Sequence, residues 1–78
     1  MLHELWVDGE GLDTFCLAGP MGDDARAMLT APARLVWTVE ASSHTDAMTK
    51  YYAYRGRGEY VSSYPDWDDV TYRENGWE

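Results

Sequence analysis

The chain has 78 residues with 14 acidic and 6 basic side chains, and its formal net charge of −8 disfavours direct contact with nucleic-acid phosphates or anionic membranes. Cys16 is the single cysteine, which excludes an internal disulfide and a thiolate metal cluster. No apolar run approaches the roughly 18 residues of a membrane span, and acids stand where a signal peptide carries bases. The sequence therefore predicts one domain, residues 1–78, with a cytoplasmic location.

The N-terminal quarter has the pattern of a β-hairpin. Residues 2–7 are rich in strand-forming side chains, and residues 8–11 contain two glycines that suit a tight turn. Residues 14–18 predict the return strand, with Phe15 and Leu17 on one face because side chains alternate along a strand.

A short helix and a third strand are expected next. Residues 23–30 have apolar side chains at helical spacing, and Asp23 and Asp24 lie at the predicted N-terminus, where the helix dipole favours negative charge. Pro32 ends this helix, and residues 34–41 alternate strictly as in a strand.

The longest predicted helix covers residues 44–55. Ser43 is a good N-cap residue, Asp46 follows at the capping-box position, and Gly56 supplies a stop. One stripe of this helix carries Ala47, Tyr51 and Tyr54.

The remaining chain is expected to form a short strand or extended strap at residues 59–61 and a final short helix at 66–75, capped by Asp66. The predicted fold class is α+β: a small three-stranded sheet in the order β-β-α-β-α, with two helices on one face and an acidic aromatic C-terminal tail or short helix.

Charge is sorted along the chain. Residues 1–24 carry six acids and no base, residues 25–57 sum to +3, and residues 58–78 sum to −5, which together recover −8. A folded body with such blocks has a directional electrostatic field, and such a field concerns binding partners more than the fold.

Motifs for metal or catalytic chemistry are incomplete. His3, Cys16 and His44 stand in different predicted elements, so no zinc site is expected. An EF-hand loop counted from Asp66 would need Gly and Glu where Thr71 and Trp77 stand. Cys16 lies among acids, which disfavour a thiolate nucleophile. We expect no enzyme activity, no cofactor and no metal.

The C-terminal segment interleaves acids with aromatic side chains, a composition typical of binding surfaces. The residues expected to contact a partner are Asp66, Trp67, Asp68, Asp69, Tyr72 and Glu74, with Asp23 and Asp24 as a second group. In the alternative interpretation, Trp67, Tyr72 and Trp77 close the core and the acids are solvated.

A second aromatic group lies on the long helix, where three tyrosines stand next to Lys50, Arg55 and Arg57. Tyr51 is expected in the core, whereas Tyr52 points elsewhere and leaves at least one hydroxyl toward solvent. The bases pair either with acids of the same chain or with the acidic face of another copy, which would give a homodimer.

The middle of the chain resembles small uncharacterised bacterial proteins. The resemblance lies in a strand ending in Glu-Ala, a Ser-capped helix with Ala-Met and aromatic residues, and a Gly- and Tyr-bearing segment, and it covers about a third of the chain. The residues that carry it are Trp37, Val39, Glu40, Ala41, Ser43, Ala47, Met48, Tyr51, Tyr52, Tyr54, Gly56, Gly58 and Tyr60. It implies a bacterial or phage origin.

Acidic charge and surplus aromatics together favour a small non-enzymatic protein that binds a basic protein partner. Its sharpest form is a stoichiometric inhibitor or DNA mimic, such as a phage-type antagonist of a nucleic-acid-binding defence complex. The alternative is a small regulatory or structural subunit, homodimeric or not, that associates through exposed aromatics while its acids maintain solubility.

Overall fold

The computed structural model describes residues 1–78 and shows two compact units. The N-terminal unit comprises Leu2–Val39, and the C-terminal unit comprises Met1 with Glu40–Glu78. The expectation of a single domain stays a prediction.

A three-stranded antiparallel sheet of order β2-β1-β3 confirms the predicted α+β class and element order. The strands are β1, Leu2–Val7, β2, Asp13–Leu17, and β3, Arg34–Glu40. The hairpin of β1 and β2 pairs His3 with Leu17 and Leu5 with Phe15. That both helices cover one face of this sheet stays a prediction.

Strand alternation gives the sheet of the N-terminal unit two different faces. Leu5 is fully buried, and on the same face the rings of His3 and Phe15 stack with centroids 5.4 Å apart. Phe15 also stacks on Trp37 of β3 at 6.2 Å. The predicted grouping of Phe15 and Leu17 is therefore consistent with the register.

The second face of the hairpin is held by one arginine. Arg26 forms an ion pair with Glu4 at 3.1 Å and donates to the carbonyl oxygens of Leu17, at 2.9 Å, and Gly19. It also pairs with Asp23 within its own helix. Because one guanidinium has five N–H donors, it can satisfy both carboxylates and backbone oxygens at once.

The first helix is shorter than predicted. A 3₁₀ turn, Pro20–Gly22, leads into α1, Asp23–Ala27, so the predicted end at residue 30 is wrong. Met28, an apolar residue within the predicted range, is 84% exposed and adds no buried apolar contact that would extend the helix. Gly22 lies so close to Leu17 that an added Cβ would clash with its carbonyl oxygen.

The long helix α2, His44–Arg55, has the predicted bounds and caps. The Ser43 hydroxyl accepts a hydrogen bond from the Asp46 backbone N–H at 3.0 Å. Gly56 has a left-handed φ of 68°, and the next N–H, that of Arg57, donates to the Tyr52 carbonyl oxygen at 2.9 Å. This closure turns the chain back toward the helix.

Beyond α2 the predictions fail in detail. Residues 59–61 form no strand, so of the two predicted alternatives the strand is wrong and the extended strap stays a prediction. The helix α3 covers only Pro65–Asp68, with Tyr64 rather than Asp66 at the N-cap. Beyond α3, Thr71 forms an isolated antiparallel bridge with Ser43. A separate turn follows, closed by Gly76.

Candidate protein-binding surface

Two of the three predicted aspartates near α3 are engaged within the C-terminal unit. Asp68 accepts hydrogen bonds from the hydroxyl groups of Ser62 and Tyr60, the latter at 3.1 Å. Asp69 accepts one from the Thr45 hydroxyl of α2 at 2.6 Å. These hydrogen bonds therefore anchor α3, while the Asp69 side chain stays exposed.

The electrostatics of Asp68 agree with this anchoring role. The hydrogen bond from Ser62 lowers the pKa of the Asp68 carboxyl, and the bond from Tyr60 and the nearby His44 act in the same direction against partial desolvation. Desolvation, followed by the bond to Asp68, raises the pKa of Tyr60. Asp68 is thus held ionised as a hydrogen-bond acceptor.

Several side chains that precede Asp68 in the chain are exposed. Trp67 is 83% exposed and Tyr64 is 72% exposed. The backbone N–H of Trp67 donates to the Tyr64 carbonyl oxygen at 3.1 Å within one helical turn. Asp66 is exposed and forms no ion pair, and Val61 is also exposed. We call Val61, Tyr64, Asp66 and Trp67 the acidic-aromatic surface.

Tyr72 does not belong to this surface, contrary to its predicted contact with a partner. Its ring is only 4% exposed and stacks on Trp77 with centroids 5.7 Å apart and planes 11° apart. Burial, followed by the charges of Asp46 and Glu78, raises the pKa of Tyr72 to about 12. Tyr72 therefore packs as a core residue, as the alternative interpretation proposed.

Glu74 has a local role. Its carboxylate accepts from the Thr71 hydroxyl at 3.0 Å, and the Thr71 hydroxyl accepts from the Glu74 backbone N–H at 3.1 Å. This reciprocal pair resembles a capping box, and its Thr-x-x-Glu signature was readable in the sequence. Glu74 thus closes a turn and is a poor candidate for partner contact.

The second predicted group of acids lies at the start of α1. Asp23 is paired with Arg26, whereas Asp24 is exposed and forms no ion pair. Both belong to the N-terminal unit. Of the eight predicted contact residues, Asp66, Trp67 and Asp24 are exposed without an ion pair or side-chain hydrogen bond.

Cys16 is buried beside Arg26, with Sγ and the guanidinium Nη1 3.8 Å apart. Burial raises the pKa of the Cys16 thiol; Arg26 opposes this shift, and Glu4 adds to it. A buried, protonated thiol is a weak nucleophile.

A basic and aromatic group occupies the C-terminal end of α2. The Arg57 guanidinium carbon lies 5.3 Å from the ring centroid of Tyr51 and 6.0 Å from that of Tyr52. The guanidinium carbon of Arg55 lies 5.4 Å from the centroid of Tyr54. We call these five residues the arginine-tyrosine cluster. The sequence suggested the proximity of these residues, and the structure adds the stacking.

Two cavities have mixed linings. One of about 440 Å³ in the C-terminal unit is lined by Ser42, Thr71, Arg73 and Glu78. Another of about 380 Å³ lies at the hairpin turn of the N-terminal unit, with Asp8 and Arg34 on its wall. No group of three or more His, Cys, Asp or Glu side chains is placed to hold a metal ion.

None of the helices has the length and apolar character that crossing a membrane requires.

Comparison of the chain with protein-family models, curated proteins and solved structures finds no match.

Proposed function

We propose that this chain is a cytoplasmic, non-enzymatic binding protein that engages a basic protein partner through its acidic-aromatic surface. The observation that carries the proposal is the exposure of Tyr64 and Trp67 on either side of the unpaired carboxylate of Asp66. A Trp that is 83% exposed buries little apolar area within the fold, whereas Trp and Tyr are side chains that often anchor protein interfaces.

Charge supports a basic partner. The net charge of −8 attracts basic surfaces at long range, and Asp66 provides a local carboxylate beside the two aromatic anchors. Association should therefore be steered by charge and fall with salt, while dissociation should depend on the aromatic contacts. The bacterial or phage origin implied by the resemblance fits a protein that acts on a bacterial target.

In its sharper form the proposal makes the chain a stoichiometric inhibitor or DNA mimic. Its carboxylates would occupy the Lys- and Arg-lined channel in which a nucleic-acid-binding defence complex holds phosphates. Such an inhibitor competes directly with DNA or RNA, and this competition distinguishes it from an ordinary binding protein.

Capture from a bacterial lysate on immobilised protein tests the proposal. Wild type, W67A, D66N and the control E10Q are compared, because E10Q removes one exposed carboxylate elsewhere. A basic nucleic-acid-binding protein should elute sharply with moderate salt and be displaced by added DNA. W67A should weaken its binding by about 30-fold, since a Trp anchor contributes about 2 kcal/mol or more. Equal capture by wild type and W67A would contradict the proposal.

A second candidate is a regulatory or structural subunit with an obligate apolar interface. Exposed apolar side chains of the N-terminal unit favour it: Leu12, Met21, Met28 and Leu35. Such a subunit would retain its partner at high salt and ignore added DNA. The same capture experiment therefore separates the two functions.

A further inference from the structure

Arg57 is held by aromatic rings and by no carboxylate. Its guanidinium lies over the rings of Tyr51 and Tyr52 at cation–π distance, and Tyr52 makes an edge-to-face contact with Tyr60 at 5.2 Å. The left-handed Gly56 directs the chain back so that Arg57 can reach these rings. The exposed arginine is thus fixed in place before any partner arrives.

Two other bases of the chain are held by oxygen atoms, in contrast to Arg57. Arg26 is paired with carboxylates, and Lys50 pairs with Asp46 at 3.3 Å and donates to the Glu40 carbonyl oxygen. Arg57 forms no ion pair, although the chain has eight more acids than bases (14 − 6). Contact with the rings engages no carboxylate, so the N–H donors of Arg57 can bind a carboxylate of another molecule.

The C-terminal unit also carries the complementary surface. Asp66 is an exposed carboxylate flanked by Tyr64 and Trp67, and Arg57 is an exposed guanidinium flanked by tyrosines. Tyr, Trp and Arg are the residues that most often anchor protein interfaces. In a two-fold symmetric dimer each surface meets the other twice, because contacts repeat in both directions.

We propose that the arginine-tyrosine cluster of one copy binds the acidic-aromatic surface of a second copy, with Arg57 and Asp66 paired in both directions. Two copies of net charge −8 repel at long range, so this dimer is weak and concentration-dependent. The proposal goes beyond the proposed function. The dimer covers the surface that a basic partner needs, so partner and second copy compete.

Charge reversal tests the pairing by sedimentation equilibrium. Wild type should dimerise as its concentration rises. R57E or D66R alone should raise the dimer dissociation constant at least tenfold, because each brings two side chains of like charge together across the interface. An equimolar mixture of R57E and D66R should restore association to within about threefold of wild type, since both pairs then regain opposite charges. The control R73E alters an exposed arginine outside the cluster and should dimerise like wild type.

Three outcomes would overturn the proposal: wild type that stays monomeric at every concentration, a dimer insensitive to both reversals, or a mixture that does not reassociate. Far-ultraviolet circular dichroism confirms that each variant is folded. The outcome is separable from that of the proposed function. R57E should no longer dimerise but should keep its basic partner, because Arg57 lies outside the acidic-aromatic surface. W67A removes a side chain of that surface and should weaken both associations.

Discussion

Raising the pH above 10 should destabilise the protein through Tyr72. The ring is 4% exposed and stacked on Trp77, and burial together with the charges of Asp46 and Glu78 raises its pKa from 10 to about 12. In the unfolded chain the same hydroxyl ionises near 10. The folded state therefore binds this proton more tightly than the unfolded state does.

The sign and size of this loss of stability follow from the linkage between proton binding and folding. A raised pKa in the folded state contributes stability that is complete below the unfolded value and is lost as pH rises through the folded value. A difference of about two pH units corresponds to about 3 kcal/mol in full, at about 1.4 kcal/mol for each unit. Between about pH 8 and about pH 11 the loss should reach about 1.4 kcal/mol.

Urea unfolding of wild type and Y72F, followed by Trp fluorescence, measures the contribution of Tyr72 ionisation to the free energy of unfolding, because Y72F lacks the titrating hydroxyl. The stability of wild type relative to Y72F should fall by about 1.4 kcal/mol over that pH range. At neutral pH the control Y64F, changed at an exposed ring, should unfold within about 0.5 kcal/mol of wild type. A pH-independent difference between wild type and Y72F would refute the burial of Tyr72 and return it to the partner surface.

Three further predictions concern the contacts that hold each unit. R26A should lower the urea midpoint, because it breaks the ion pair with Glu4 and two hydrogen bonds to backbone oxygens. The control R34A changes an exposed arginine and should leave the midpoint unchanged. Equal midpoints for the two variants would contradict the role of Arg26 in holding the hairpin. G56A should cost about 1 kcal/mol in thermal or urea unfolding, because φ is 68° there, and an unchanged stability would exclude the left-handed closure. Burial acts to raise the pKa of Asp46, but hydrogen bonds from the backbone N–H of residue 42 and from Lys50 outweigh it, so the pKa is lowered. The contribution of Asp46 to the free energy of unfolding is therefore present above the unfolded pKa near 3.8 and is lost as pH falls below it. D46N should unfold with a weaker dependence on acidic pH, and an unchanged dependence would contradict the assignment.

Local chemistry made much of the fold predictable. Ser43 and Gly56 mark the two ends of α2. Both effects are local, because the hydroxyl caps a nearby backbone N–H and the glycine adopts a positive φ without help from distant residues. Strand alternation in the hairpin was equally local, since it depends only on successive side chains pointing to opposite faces. The end of α1 was mispredicted because the exposure of Met28 depends on what lies around it.

The candidate surface was predictable as a segment but not as a set of residues. Asp66, Asp68 and Asp69 are chemically identical and nearly adjacent, so composition assigns them one role. Only the folded chain brings Ser62 to Asp68 and Thr45 to Asp69, and these hydrogen bonds distinguish the two carboxylates from that of Asp66, which has none.

The sequence by itself determined the acidic charge, the order of strands and helices, and the caps of α2, because each depends on composition or on neighbours along the chain. Tertiary structure alone decided that Tyr72 is buried while Trp67 is exposed, and that Arg57 rests on two tyrosine rings. Burial and stacking depend on segments distant in sequence or on how the chain turns after a helix, and no local pattern records which side chains they bring together.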